Sequence, residues 1–181
     1  MNQSNAQFSL CGRYRWNLNR RFNSCKKEII FIGLNPSKAN SFVNDRTLIR
    51  LINFSNLWGY GSLSVVNLFA IISNNSLDLK SFADPIGNSN NKELNNKIKA
   101  WSEKELCDLW LGWGVNGSYL NRDKVVLRKI QNYYNKRVRN FPKASQPYAI
   151  GITKDGYPRH PLYVQNKTIL KPFCINAKKI N

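Results

Sequence analysis

A single histidine, His160, a single methionine and only 10 Asp plus Glu occur among the 181 residues of the chain. With so few imidazoles and carboxylates, no paired acidic metal site and no Ser/His/Asp set stands out, and no glycine-rich phosphate loop is visible, so metal-dependent nucleotide hydrolysis has little support. The four cysteines, Cys11, Cys25, Cys107 and Cys174, form no short pair, and only His160 could join them as a ligand. They read as free thiols rather than a zinc site, and neither metal nor cofactor is expected. No apolar run approaches the roughly 20 residues of a membrane span. The segment from Met1 to Gln7 lacks the charged-then-apolar order of a signal peptide, so a cytoplasmic protein without a membrane partner is expected.

Positive charge is abundant. Lys plus Arg number 28, giving a formal charge of +18 and an isoelectric point near 10. A compact domain so charged repels itself unless anions offset it, which points to DNA or RNA as partner; the competing reading is a biased, Lys- and Asn-rich composition that only keeps the chain soluble. The length fits one domain spanning 1–181, with a polar N-terminal segment 1–10 and a frayed tail 176–181, and a monomer is expected.

Apolar runs recur at Ile29 to Gly33, Leu63 to Ala70, Leu109 to Gly114 and Tyr148 to Ile152. Between them lie helical patterns: Thr47 to Trp58, with Asp45 as its N-cap, Glu93 to Leu106, and Arg122 to Asn135. Ser73 to Asn91 reads as loop, with a turn at Asp84 to Gly87. Strands alternating with helices predict an α/β fold, a three-layer α/β/α sandwich around a central, mainly parallel, four-stranded sheet. Ligands of such sheets bind beyond the carboxyl ends of the strands. The residues there are Gly33-Leu34-Asn35-Pro36-Ser37, Asn67, Trp113-Gly114-Val115-Asn116-Gly117 and the stretch Thr153 to Tyr163. The first of these turns also fits a plain helix start, with Asn35 or Ser37 as cap and Pro36 in the first turn.

Two resemblances rest on these motifs. Asn35-Pro36-Ser37-Lys38-Ala39, Trp58-Gly59-Tyr60-Gly61, Asp84-Pro85-Ile86-Gly87, Asn121-Arg122-Asp123 and the run Gly151 to Tyr163 resemble an uncharacterised bacterial and phage family, domain of unknown function 1643, over nearly the whole chain. Gly33-Leu34-Asn35-Pro36 resembles the Gly-x-Asn-Pro-Gly signature of mismatch-specific and single-strand-selective uracil-DNA glycosylases, departing from it at Ser37. Val65-Val66-Asn67-Leu68-Phe69, Trp113-Gly114-Val115-Asn116-Gly117 and His160-Pro161-Leu162 resemble further motifs of that superfamily in the same chain order.

The second resemblance implies a metal-independent N-glycosidic hydrolase acting on an uncommon or damaged base. Asn35 would orient the attacking water and His160 would donate to a carbonyl oxygen of the departing base. Asn67 would read the base edge, with Gly33, Pro36 and Ser37 completing the base pocket. Ser37 stands where a bulkier residue excludes thymine in the resembling enzymes, so strict uracil specificity is not implied. Gly114, Lys154, Tyr157 and Arg159 would meet the nucleic acid, and Leu162 or Tyr163 would fill the gap left by a flipped base. Phe42 and Phe69 are the candidates for base stacking. Two alternatives stand beside this reading: a non-catalytic module that recognises a base or nucleotide in nucleic acid, and a hydrolase of a free modified nucleoside or nucleotide. At single residues, Asn67 would otherwise tie down a loop, His160 would contact phosphate, and Asp123 would serve only as a helix-start charge.

Overall fold

The computed structural model describes residues 4–175 and shows an α/β fold built on one seven-stranded mixed sheet. Its strands are β1 (Ser4–Phe8), β2 (Arg15–Arg21), β3 (Glu28–Gly33), β4 (Ser62–Asn67), β5 (Cys107–Leu111), β6 (Tyr148–Ala149) and β7 (Lys171–Pro172), ordered β1-β2-β4-β3-β5-β6-β7. The four apolar runs supply the strands that lie parallel: β3 pairs with both β4 and β5, and β5 with β6. Both faces of β3 are covered, which is why Ile29, Ile30, Phe31 and Ile32 form an unbroken apolar run rather than an alternating one.

The helices are α1 (Arg46–Leu57), α2 (Asn90–Glu103) and α3 (Arg122–Asn140). Helix α1 buries Leu48, Leu51 and Phe54 with Ile29, Phe31, Val65 and Trp110 on one side of the sheet. On the other side, Leu94, Ile98 and Trp101 of α2 and Val126, Leu127 and Ile130 of α3 pack with Ile30, Ile32 and Leu109. Apolar stripes at helical spacing thus make the outer layers.

The four-stranded expectation is corrected. Strands β1 and β2 add an antiparallel ribbon to the β4 edge and β7 pairs antiparallel beyond β6. The ribbon has no apolar alternation; its buried positions include Arg15, Asn17 and Arg20, whose polar heads find partners from distant segments. Asn17 Nδ2 donates to Gln7 Oε1 and Glu93 Oε1, and Arg20 donates to Asn44 Oδ1. The polar N-terminal segment therefore contains a strand. The tail 176–181 lies outside the described residues.

The start of α1 is set by Asp45 and not by Asn35 or Ser37. Its Oδ1 accepts from the Leu48 amide at 2.8 Å, satisfying one of the N–H groups a helix start leaves bare. Asp45→Ala is expected to lower the unfolding free energy by about 1 kcal/mol, read from urea denaturation. The turn at Asp84 also forms: its Oδ1 accepts from Ile86 and Gly87 amides, and the preceding loop holds a 3₁₀ turn, Ser76–Ser81.

Candidate functional site

Strand β3 ends at Gly33, where a Cβ would stand 2.7 Å from Asn67 Oδ1 and 2.8 Å from the Phe31 ring. Glycine is required here to admit the Asn67 amide from the paired end of β4, since Gly33 and Asn67 are register partners. Asn67 is 4 % exposed, and its Nδ2 has no hydrogen-bond partner among the described residues. Buried amides are normally satisfied, so this N–H is open to a partner from outside the described residues. Its backbone carbonyl is fixed by Asn90 Nδ2, which anchors the strand end rather than the side chain.

Asn35, two residues beyond Gly33, donates from Nδ2 to Ser73 O at 2.9 Å and Pro36 O at 3.1 Å. Both partners are carbonyls and can only accept, so the amide orientation is determined: Oδ1 is left as an acceptor. Pro36 O in turn accepts from the Ser73 amide, locking this turn to the loop after β4. Ser37 Oγ lies 3.2 Å from Asn74 Oδ1 on the same loop.

His160 reaches these groups by a long detour. From Gly151 the chain folds on itself, with Thr153 N donating to Tyr157 O, Arg159 N to Gly151 O, and a bridge between Ile152 and Pro158. Gly114, at φ +71° beyond the end of β5, donates its N–H to Pro158 O at 2.9 Å and leaves its Cα face against His160. Arg50 of α1 holds the other side, donating to the carbonyls of Pro161 and Val164 and to Asn166 Oδ1. His160 itself caps the 3₁₀ turn Pro161–Tyr163: its Nδ1 accepts from the Leu162 amide. An accepting Nδ1 carries no proton, so the neutral ring presents Nε2–H as a donor. Burial lowers its pKa to about 4, against the opposing pull of Asp45, so the neutral form holds throughout the neutral range.

A cleft of about 700 Å³ opens at the carboxyl ends of the strands. Asn35, Ser37, Gly114, Arg159, His160, Leu162 and Tyr163 all face it. A recess of about 40 Å³ adjoins it and is lined by Gly33, Asn35, Ser37, Asn67 and His160. Pro36 is buried in the turn, whereas Lys154 and Tyr157 do not line the cleft; Lys154 is exposed, and Tyr157 faces a separate depression beside Trp113 and Asp123. Neither stacking candidate faces the cleft either: Phe69 is fully buried in the core, and Phe42 is exposed. Trp113 is the aromatic ring that lines it together with Tyr163. Asp123, in the first turn of α3, is buried and its pKa is raised by that burial, away from the cleft.

The cleft also takes in Arg46 as a cation and the Asn116 amide, together with residues that the sequence alone did not assign to it: Lys38 as a second cation, and Thr47, Ser73 and Ser76 as hydroxyl groups. Lys38 and Asn116 sit inside resembling motifs, which were the available signals; Ser73 and Ser76 carry none. Arg15 lines the recess from β2, on a strand without any apolar pattern.

A family model, protein of unknown function (DUF1643), matches residues 15–162. The chain belongs to this family. The match begins at Arg15 and ends at Leu162, so it encloses Arg15, Gly33, Asn35, Asn67, Gly114 and His160 together. Neither curated proteins nor solved structures return a match. Among the described residues no group of three or more His, Cys, Asp or Glu is placed to hold a metal ion, and no helix is long and apolar enough to cross a membrane.

Proposed function

We propose that this DUF1643 protein is a nucleic-acid-directed, metal-independent N-glycosidic hydrolase of the uracil-DNA-glycosylase type, acting on an uncommon or damaged base. One observation carries the reading: Asn35, with Oδ1 as acceptor, and the neutral His160 donor line both the cleft and the recess that adjoins it, and the unpartnered Asn67 amide lines that recess, although the three come from widely separated parts of the chain. In this reaction a water oxygen bonds to C1′ of the sugar as the C1′–N bond breaks, and the bonding pair leaves on the base. Water loses a proton to solvent and the base nitrogen takes one up. Asn35 Oδ1 accepts from the attacking water and orients it. Asn67 pairs with the base edge, and His160 Nε2–H donates to the oxygen on which negative charge develops. A neutral donor suits this role because it can stabilise an anion without first losing charge to the leaving group.

The fold reading that goes with it is the three-layer architecture of that superfamily, with the β1-β2 ribbon and β7 as additions to its sheet. Cations on the cleft rim, Lys38, Arg46 and Arg159, give the phosphate backbone a place beside the pocket. Binding to DNA is expected to weaken with salt at a logarithmic slope near −0.9 per phosphate contacted; fluorescence anisotropy across a salt series measures it. A slope near zero removes the nucleic-acid partner from this account.

Incubation with oligonucleotides carrying a panel of modified and damaged bases, followed by alkaline cleavage, tests the chemistry. Strand scission at one of those bases is the expected result. A second reading is favoured by one feature: among the described residues the one carboxylate lining the cleft, Asp45, already accepts from two backbone amides, Leu48 and Ala39, and neutral Asn35 is a weaker activator of water. Tight binding to a modified base with no scission on any substrate would establish that second reading, a base-recognising module.

A further inference from the structure

The recess next to the cleft has its own chemistry. At about 40 Å³ it has room for roughly three water molecules, since one needs about 10–15 Å³. That is room for a substituent of a few atoms and not for a ring. Its walls include apolar core side chains of the sheet and α1, the small side chains of Ser37, Ala39 and Thr47, and the Asp45 carboxylate, whose oxygens accept from the Ala39 and Leu48 amides. Arg15 and Asn67 line it as well, and these are 5 % and 4 % exposed.

Both carry a buried N–H with no partner among the described residues, Arg15 at Nε and Asn67 at Nδ2. Arg15 donates from Nη1 to Ala39 O at 2.8 Å, and no carboxylate lies within ion-pair distance of it among the described residues. Asp45 acts on it only through space, because both Asp45 oxygens are taken by backbone amides, and Arg20 opposes that attraction. Burial lowers the Arg15 pKa to about 10, which leaves it charged at neutral pH. A buried charge without a partner is expensive, and a protein that keeps one usually has an acceptor for it.

We propose that the recess receives a compact substituent bearing acceptor oxygens, a carboxylate above all, projecting from a base that sits in the cleft. Arg15 donates to it from Nε, Asn67 keeps the base edge it reads, and Ser37, Ala39 and Thr47 leave it space. This inference rests on the base-binding reading of the cleft. The same guanidinium would donate to the phosphate of a small nucleotide, and the test separates the two sources.

Isothermal titration calorimetry on the whole chain, with 5-carboxyuracil, uracil and inorganic phosphate as separate probes, decides the matter. Wild-type protein is expected to bind 5-carboxyuracil about tenfold or more tightly than uracil, the worth of a charge-assisted hydrogen bond. Arg15→Met, which keeps the length and removes the charge, should bring the two bases within about twofold while uracil affinity stays. Thr47→Leu narrows the recess without touching Arg15 and should erase the same preference, which keeps the test alive if Arg15→Met fails to fold. Equal binding of both bases by wild type, or a preference that survives in both variants, overturns the subsite and leaves the base cleft standing. Arg15-dependent binding of phosphate with no binding of either base keeps the anion subsite and overturns the base reading. No binding of any probe at millimolar concentration overturns both.

Discussion

His160→Ala protein is expected to release base about 10²–10³-fold more slowly than wild type, the effect of deleting one preorganised donor to a developing anion. The loss should fall on turnover more than on binding, because the ring is held before substrate arrives and donates most strongly once charge has built up. Its position is independent of the ligand: Nδ1 is fixed by the Leu162 amide, and Gly114 and Arg50 clamp the chain on either side. The pH dependence follows from the same geometry. With the folded pKa lowered to about 4 by burial, His160 stays a neutral donor across pH 5 to 8, and its own titration should reduce turnover only as pH falls toward 4. Stability moves the same way. The unfolded chain binds this proton near pH 6.5 and the folded chain only near 4, so the unfolded state holds more protons between them. The contribution of His160 to folding is therefore present above pH 6.5 and declines as pH drops through 4. A His160→Gln variant should flatten that part of a denaturation-versus-pH curve. Single-turnover kinetics and urea titrations read the two effects separately.

The largest expected loss of stability lies far from the cleft. Arg137 of α3 is 1 % exposed and donates to the carbonyls of Trp101, Lys104, Glu105 and Cys107, closing the end of α2 and the start of β5. Its guanidinium also lies over the Trp101 ring, with 5.2 Å from the guanidinium carbon to the ring centroid. Removing it strands acceptors that a helix end leaves bare, each worth about 1–3 kcal/mol when buried and unpaired. Arg137→Ala is expected to destabilise the fold by roughly 3–5 kcal/mol, measured from the urea midpoint at constant slope. Arg137→Lys should recover only part of this, because one ammonium cannot span four carbonyls as a planar fork does. Loss below 1 kcal/mol would mean that water reaches those carbonyls.

The contrast between Asn35 and Arg15 shows what a sequence can and cannot give away. Asn35 was legible because it follows an apolar run that stops in a polar turn, which announces a strand end; Asn67 and Gly114 lie within or at the end of two other runs, and His160 stands in the loop after the fourth. The ends of parallel strands meet on one side of the sheet, so their neighbours in space follow from the fold class. Arg15 offers no such mark. It sits at the start of β2, which runs antiparallel to β4, and an antiparallel strand brings its amino end to the place where its neighbour's carboxyl end lies. Its burial depends on contacts such as Ala39 and Asp45, set by the long turn after β3, and no local pattern encodes them. The β1-β2 ribbon was hidden for the same reason: Asn17 is satisfied by Glu93 from α2, 76 residues away. Tyr157 lies outside the cleft for another reason. It stands in the right loop, but the loop closes as a narrow hairpin through Thr153 and Gly156, which turns the ring toward Asp123 instead of the cleft.

Titration of ¹⁵N-labelled protein with an oligonucleotide carrying a modified base that the protein binds tests the central claim most directly, through the side-chain amide of Asn67 and the backbone amides of Gly33 and Gly114. The account predicts that all three shift together and saturate with the same affinity, and that the Asn67 Nδ2 protons move furthest, because a buried N–H that lacks a partner acquires one. Saturable binding that moves surface lysine and arginine neighbours while those three signals stay in place would contradict it.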